Sequence, residues 1–506
     1  MDFTVTLSAP RIRVVEGASA TVEVIITRNT FLDAVSVTVA GLPTGVSADA
    51  LTIEGDRGTL TVRADVGATQ GEAALMVTAA GAGRSHDTPL SMLAMGLPGT
   101  LDQSFQAITA RTGPAGRGRA VIVQPDGKIL TVSSVGLGTP AGMRVARFLS
   151  NGAPDPEFSG GSVLVEAGGG TAALTLQDDG KIIVVGGEQV AGRARGLVVR
   201  LDSSGEIDKK FGTNGRARLN LADNDEAAAT LLSAVALQRD GGIIISGGIN
   251  GSNSAGYFAV VARLTPTGAL DPTFGTMGIA RSRQGEYASY DAIAIQSDGR
   301  IVTIGRVMID NIFHAAFARL TTAGRPDNSF SGDGILTMDG LLQDDYQFTS
   351  GPGASLVIQA DGKIAAVGSA GPPPFGSIYH SYLMRLNGDD GSPDASFGTN
   401  GAKAVTLGPS DHADGLAILP DNKWLVIGAA GDNSNFGASV TRFTSDALLD
   451  LSFAGGIAIA KDTGGAAFRA ITLDSEGRIL MTGGYIQFDD GGNYASENFI
   501  LARMWQ

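Results

Sequence analysis

The chain has 506 residues, of which 72 are glycine and only 17% are charged, a composition that disfavours long Lys/Glu-rich helices and favours a turn-rich β protein. The absence of cysteine excludes disulfides and thiolate metal sites. The chain has a net charge of −14 and no Lys/Arg run, so nucleic acid is a poor candidate partner. It has no uninterrupted apolar run of about 18 residues, so we predict no membrane span.

The chain begins Met-Asp-Phe-Thr-Val, without the basic and apolar regions of a signal peptide. Either the protein is cytosolic, or it is exported with a signal peptide that this sequence lacks. We favour the second interpretation and predict a secreted or cell-envelope protein.

Residues 1–96 alternate between apolar and polar residues in short segments, with turns every 8–12 residues, which predicts a β-sandwich. The segment Val39-Ala-Gly-Leu-Pro-Thr-Gly-Val46 resembles bacterial immunoglobulin-like domains, a resemblance that implies a fold and no function. Gly96-Leu-Pro-Gly99 reads as a short, stiff linker to a second domain over 97–506. The predicted strands are Phe3–Leu7, Thr21–Ile26, Val35–Val39, Thr59–Val62 and Leu75–Thr78.

An Asp-x-x-Phe motif recurs seven times at spacings of 53–67 residues, which indicates an array of one supersecondary unit. Each unit also has a two-residue turn, usually Asp-Gly, between apolar segments, and such turns are typical of β-hairpins. Each fourth strand ends in arginine. The motifs are Asp102–Phe105, Asp155–Phe158, Asp208–Phe211, Asp271–Phe274, Asp327–Phe330, Asp394–Phe397 and Asp450–Phe453, and the arginines are Arg147, Arg200, Arg263, Arg319, Arg385, Arg442 and Arg503.

Four short antiparallel strands repeated seven times predict a seven-bladed β-propeller, and an all-β protein overall. The same position in every repeat holds a small residue. This supports a radial arrangement, because the innermost strands of the blades converge on an axis and have the least room for side chains. Since Asp102 has no preceding arginine and Arg503 no following aspartate, we expect these two to meet and a strand near Gln106–Arg111 to pair with one near Phe499–Met504. The small residues are Ala120, Ala173, Ala234, Ala292, Ser355, Gly415 and Ala470.

The repeat resembles the delta-60 repeat of bacterial envelope proteins. Gln124-Pro-Asp-Gly-Lys-Ile129 and Leu270-Asp-Pro-Thr-Phe-Gly275 match it closely, whereas Leu419-Pro-Asp-Asn-Lys423 and Asp474-Ser-Glu-Gly-Arg478 depart from it most. The resemblance covers about residues 100 to 506. It implies an exported propeller without a defined activity, so no catalytic residue is carried over.

The recurrence of these residues argues against a catalytic role for them, because a protein needs a catalytic site once but needs a structural contact in every repeat. We therefore interpret the aspartates as turn caps that pair with the arginines, and the phenylalanines as core anchors. The connections on the opposite face vary between repeats, and loops on a rigid scaffold are where binding usually occurs. The candidate ligand-binding residues there are Tyr287, Tyr290, Tyr346, Phe348, Tyr379, His380, His412, Phe436, Tyr485, Phe488 and Tyr494.

Acidic clusters accompany these aromatic residues, for example Asp411 with Asp414. Oxygen-rich Asn387-Gly-Asp-Asp-Gly391 and Asp489-Asp-Gly-Gly-Asn493 have the donor type that Ca²⁺ prefers, but neither has full EF-hand spacing. Four separated histidines make no zinc pattern. We therefore expect no cofactor, with Ca²⁺ retained as an alternative and the metal ligands unassigned.

Three functions remain open. The leading hypothesis is a non-enzymatic cell-surface or secreted binding or adhesion protein whose variable face binds a protein or glycan. The second is a propeller hydrolase or lyase at the mouth of the central channel, which requires one non-recurring polar cluster on the axis. The third is an architectural subunit that oligomerises through its N-terminal domain. The sequence does not name the ligand, the oligomeric state or the anchoring.

Overall fold

The computed structural model describes most of the chain and divides it into two compact units. One unit contains Met1–Gln106 with Arg503–Gln506, and the other contains Ala107–Ala502. Side chains are not described for 172, 347–348, 459, 486–488 and 494–496. The described residues are 2–106, 115–136, 141–167, 172–222, 228–251, 256–283, 285–338, 347–348, 354–371, 379–431, 437–459, 466–488 and 494–506.

Two sheets form the first unit, in the orders β1-β3-β7-β5 and β2-β9-β8-β4-β6. Alternate residues of their strands are buried, and Val24 and Leu60 of one sheet share a core with Val77 and Met92 of the other. The strands are β1 (Asp2–Leu7), β2 (Arg11–Val15), β3 (Ser19–Asn29), β4 (Val35–Ala40), β5 (Val46–Ala48), β6 (Leu51–Ile53), β7 (Arg57–Ala64), β8 (Gly71–Gly81) and β9 (Arg84–Met95).

The repeats form a series of antiparallel sheets, each built from strands that follow one another in sequence. The first three contain β10 (Arg117–Val123), β11 (Ile129–Val135), β12 (Gly142–Phe148) and β13 (Ser162–Glu166); β14 (Ala172–Leu176), β15 (Ile182–Val190), β16 (Arg193–Leu201) and β17 (Arg216–Leu219); and β18 (Ala229–Leu237), β19 (Ile243–Asn250), β20 (Tyr257–Leu264) and β21 (Ile279–Ser282).

The next three sheets contain β22 (Tyr287–Ile295), β23 (Ile301–Ile309), β24 (Ile312–Leu320) and β25 (Ile335–Thr337); β26 (Gln347–Phe348), β27 (Ser355–Ile358), β28 (Ile364–Gly371), β29 (His380–Leu386) and β30 (Ala402–Val405); and β31 (Ser410–Ile418), β32 (Trp424–Gly431), β33 (Gly437–Phe443) and β34 (Ile457–Ile459). The last sheet contains β35 (Ala466–Leu473), β36 (Ile479–Phe488) and β37 (Tyr494–Met504).

Helical structure in the described residues is limited to two 3-10 turns, Ser159–Gly161 and Ala454–Gly456. No helix among these residues has the length and apolar character needed to cross a membrane. The chain is therefore all-β, as the glycine-rich and turn-rich sequence predicts.

The recurring aspartate and arginine of each repeat form an ion pair. The Arg Nε lies 2.6–2.9 Å from the Asp Oδ2 in all seven cases. The other carboxylate oxygen accepts a hydrogen bond from the N–H two residues later, as in Asp327 and Ser329. The guanidinium carbon lies 4.5–5.1 Å from the centroid of the motif's phenylalanine ring. These contacts confirm the predicted structural role of the motif.

The same arginines connect one repeat to the next. Arg200 Nη1 donates to the carbonyl of Pro266, 2.6 Å away, and Arg263 Nη1 donates to the carbonyl of Thr322 at 3.0 Å. Arg319, which is completely buried, donates to two carbonyls, those of Gly388 and Asp389. Together with Arg147 and Arg385, which donate to the carbonyls of Ser203 and Ser445, five of the seven arginines therefore satisfy backbone acceptors of the next repeat as well as the carboxylate of their own.

The expected meeting of Asp102 and Arg503 is confirmed. Arg503 Nε lies 2.7 Å from Asp102 Oδ2, and both residues are buried. The Trp505 indole N–H also donates to Gln70 Oε1, 2.8 Å away, which joins the last four residues to the first compact unit. That unit extends to Gln106, past the predicted boundary at 96. The predicted strand near Gln106–Arg111 lies outside the described residues from 107 onward; bridges between Leu101 and Met504 and between Ala115 and Asn498 flank it.

Five innermost strands contain a β-bulge at the same position, immediately before the small residue predicted to lie near the axis. The register shifts fall between Gly118 and Ala120, Leu232 and Ala234, Tyr290 and Ala292, Ala413 and Gly415, and Phe468 and Ala470. A bulge leaves one residue unpaired and re-aims its side chain.

In four of these sheets a glycine of the neighbouring strand lies opposite the bulge: Gly247, Gly305, Gly428 and Gly483. A Cβ on Gly305 would lie 1.8 Å from the carbonyl oxygen of Ser289, and one on Gly428 equally close to that of His412. The glycine is therefore required for space rather than for a positive φ.

Replacing Gly305 with alanine should destabilise the protein by about 1–3 kcal/mol, because the bulged backbone must move to make room. Thermal unfolding would measure this. Gly136→Ala is the matched control: nothing lies within 4 Å of its added Cβ, so its melting temperature should stay close to that of the wild type. Equal effects of the two variants would contradict this interpretation.

Candidate functional site

One cavity of about 200 Å³ is lined by residues at the first strand (β27 in the fifth sheet) of each of the seven sheets that the repeats form. We call it the axial cavity. Four of the predicted small residues line it, Ala173, Ser355, Gly415 and Ala470, which places them where the radial arrangement requires. The other lining residues are Arg119, Ser233, Asp291, Ala354, Asp414, Leu416, Arg469 and Ile471.

The charged residues of the axial cavity are the bulged residues. Arg119, Asp291, Asp414 and Arg469, together with Ser233, stand at equivalent positions in five sheets. Unlike the aspartates and arginines of the repeat motif, these residues change from sheet to sheet. The bulges thus bring a non-recurring set of side chains to one place.

Asp414 is the centre of a charged network in the axial cavity. Its Oδ1 accepts a hydrogen bond from Arg469 Nη1 at 2.8 Å, and His412 Nε2 lies 3.1 Å from its Oδ2. Burial raises the pKa of Asp414, but the charges of Arg469 and His412 and the hydrogen bond from Arg469 outweigh burial and hold this pKa below its usual value. Asp414 is therefore a stable carboxylate at neutral pH.

Arg119 has a different environment from Arg469. Its Nε donates to Ser134 Oγ at 3.2 Å, whereas its Nη1 is buried and has no hydrogen-bond partner in the described structure. Burial lowers the pKa of Arg119 to about 10, and the positive charges of Arg117 and Arg469 contribute to this shift. The guanidinium remains charged at neutral pH, and it offers an unused donor at the axial cavity.

Among the predicted ligand-binding residues, His412 is the one that contributes to this network. Tyr290 lies between two sheets with 5% exposure, and burial raises its pKa to about 12, so it packs in the core. His380 Nδ1 lies 3.3 Å from Asp411 Oδ2. Asp411 is completely buried, and it also accepts hydrogen bonds from the backbone N–H and the hydroxyl of Ser381.

The remaining described candidates are Tyr287, Tyr379 and Tyr485. The Tyr287 ring lies 4.5 Å from that of Tyr257 and 5.5 Å from that of Phe313, with the Arg306 guanidinium 5.2 Å from the Tyr287 centroid. Tyr379 precedes β29, and Tyr485 lies on β36 opposite Ala466. Tyr346 and Phe436 lie outside the described residues, as do the side chains of Phe348, Phe488 and Tyr494.

The first predicted Ca²⁺ segment has other contacts in the structure. The carbonyls of Gly388 and Asp389 accept hydrogen bonds from Arg319, and Asp390 Oδ1 caps the N–H of Ser392. Residues 489–493 lie outside the described part of the chain. No group of three or more metal-ligating side chains occurs among the residues that the structure describes.

Sequence reasoning noted the small residues, and Asp414 as part of an acidic cluster, but it did not compare the residue before each small residue across the repeats. That position reads Arg119, Ala172, Ser233, Asp291, Ala354, Asp414 and Arg469. Its mixture of charges beside a fixed small residue is the signal that would have identified the axial cavity.

Six segments of the chain match a family model described as a domain of unknown function, DUF5122 beta-propeller: 124–158, 177–211, 238–274, 296–330, 359–397 and 419–453. The chain is accordingly a β-propeller protein, and all seven positions at or equivalent to the bulge lie outside the matched segments. No curated protein matches the chain.

Among solved structures, the chain is similar to a quinonprotein alcohol dehydrogenase-like protein from Bacteroides thetaiotaomicron VPI-5482, with 11% identity over 97% of this chain and 96% of that chain and a TM-score of 0.35. It also matches an ICAM-5 D1–D4 ectodomain fragment, with 9% identity over 100% of both chains and a TM-score of 0.16. Neither likeness is strong enough to transfer a function.

Proposed function

We propose that this β-propeller is a non-enzymatic binding protein that holds part of its ligand in the axial cavity. The observation that carries the proposal is the contrast between two sets of charged residues. The recurring aspartates and arginines are all used in structural ion pairs, whereas the bulged residues differ between sheets and converge on one cavity. We further propose that the seven sheets are blades of one delta-60-type ring, that the N-terminal unit is an immunoglobulin-like spacer, and that the protein is exported.

The position of the axial cavity supports access from the variable face. Each bulged residue lies seven residues before the first residue of the two-residue turn, as Asp291 lies before Asp298. At the rise of an extended strand this places it about 23 Å from the turn face. The innermost strands begin directly after the variable connections, so a protein or glycan bound by those connections can insert one group into the axial cavity.

The electrostatics favour binding over acid–base chemistry. A general acid or base works best with a pKa near the operating pH. Arg469 and His412 instead hold the pKa of Asp414 below its usual value. A hydrolase or lyase remains the second candidate, because a non-recurring polar cluster on the axis is the feature that such an enzyme needs.

A glycan array tests the proposal with two variants of the same sheet. Asp291→Ala removes an axial carboxylate, whereas Asp298→Ala removes an exposed one in the turn. We expect the wild type and Asp298→Ala to retain the same glycans and Asp291→Ala to lose at least tenfold in affinity. Binding that is insensitive to Asp291→Ala would contradict the proposal, and cleavage of a retained glycan would favour the enzymatic candidate.

A further inference from the structure

We propose that the axial cavity is a carboxylate site in which Arg119 is the main anchor, and that its ligand is a hydroxycarboxylate such as a sugar acid. This inference rests on the proposed function, because it assigns a ligand class to the same cavity. It is carried by a difference between Arg119 and two nearby arginines, since those two have carboxylate partners and Arg119 has none among the ion pairs of the described residues.

Two of the three neighbouring arginines have a carboxylate partner. Arg117 pairs with Glu497, and Arg469 pairs with Asp414. Arg119 has no carboxylate partner among the ion pairs of the described residues, and its buried Nη1 has no acceptor. A buried donor without an acceptor is unfavourable, and a guanidinium accepts the two oxygens of a carboxylate in a bidentate arrangement.

Local charge strengthens this assignment. Arg117 and Arg469 act to lower the pKa of Arg119, whereas Glu497 and Asp414, the carboxylates paired with those two arginines, act to raise it. The two arginines have the larger effects, so their repulsion of the Arg119 guanidinium is only partly offset. An anion bound beside Nη1 would relieve this repulsion as well as supply the missing acceptor. Arg119 is therefore the residue of the cavity whose interactions improve most on binding an anion.

The remaining lining residues distinguish between anions. Ser233, Asp291 and Ser355 line the same cavity as Arg119. An inorganic dianion would meet the Asp291 carboxylate, whereas a hydroxyl group of an organic acid could donate to it. The cavity volume of about 200 Å³ equals that of roughly six or seven liquid waters, which suits one small organic acid.

Calorimetric titration with D-glucuronate, D-glucose and inorganic phosphate tests the inference. We expect saturable binding of glucuronate, with glucose and phosphate at least tenfold weaker. Arg119→Gln should weaken glucuronate binding at least tenfold and should leave the melting temperature unchanged or raised, because it removes a buried cation that has no carboxylate partner. Arg300→Gln, an arginine on the turn face, is the matched control and should bind as the wild type does.

The experiment distinguishes failure of the carboxylate assignment from failure of the axial binding site itself. Equal binding of glucose and glucuronate, with both weakened by Asp291→Ala, would overturn the carboxylate assignment and leave the axial binding site intact. Preferential binding of phosphate would overturn the hydroxycarboxylate class. Unchanged glucuronate affinity in a folded Arg119→Gln variant, or no binding of any of the three probes by the wild type, would overturn the inference.

Discussion

Replacing Arg319 with alanine should lower the free energy of unfolding by about 3–5 kcal/mol, the range for removing one partner of a buried ion pair. Arg319 is completely buried, and its Nε lies 2.7 Å from Asp327 Oδ2. The substitution also removes the donors to the Gly388 and Asp389 carbonyls and the cation over the Phe330 ring. The urea midpoint of unfolding would measure the loss.

Arg300 provides a control on the same carboxylate. Its Nε lies 3.2 Å from Asp327 Oδ2, but its side chain is 39% exposed. Exposed pairs contribute at most about 1 kcal/mol, so Arg300→Ala should barely change the midpoint. If the two variants were equally unstable, proximity to Asp327 rather than burial and backbone bonding would determine the effect.

Acid should unfold this protein steeply, beginning below about pH 4, the region where an unfolded aspartate titrates. Hydrogen bonds from Ser452 and the charge of Arg442 are the main causes that lower the pKa of Asp450, to about 2. Burial raises the pKa of Asp394, but Lys363, Ser396 and Arg385 together lower it well below the usual range. A depressed folded-state pKa adds stability above the unfolded pKa and loses it as pH falls toward the folded value.

The urea midpoint measured from pH 7 to pH 2 would check this prediction. We expect little change between pH 7 and pH 5 and a steep fall below about pH 4. Asp450→Asn should be less stable than the wild type at pH 7 by about 2 kcal/mol, the value of its pKa shift, and the two curves should converge near pH 2. Parallel curves across this range would show that Asp450 does not contribute through its ionisation.

Repetition made the structural part of this protein predictable from its sequence. A residue that every repeat needs, such as Asp327, Arg319 or Phe330, recurs at a fixed spacing and is recognisable without coordinates. The same logic predicted the contact between Asp102 and Arg503, since these were the two motif residues without a partner in sequence. Small residues such as Ala173 were also placed correctly, because convergence on an axis limits their size.

The axial cavity could not be found in this way, because residues that do not recur carry no periodic signal. A bulge shifts the alternation of a strand by one residue, so period-2 reasoning does not show that Asp291 or Asp414 faces the axis. The aromatic residues were placed in loops because their segments vary between repeats. Tyr290 lies on a strand instead, and its burial depends on packing between sheets that the sequence alone does not reveal.

The ion pair between Asp102 and Arg503 has a consequence for biosynthesis. Its two residues are separated by 401 positions. At the usual elongation rate of about 5–20 residues per second, a ribosome needs on the order of 20–80 seconds to make that stretch. Throughout that interval the nascent chain carries Asp102 without its arginine and Gln70 without the Trp505 indole. This N-terminal unit therefore has to wait for residues 503–506 before it is complete, and until then it lacks these two contacts.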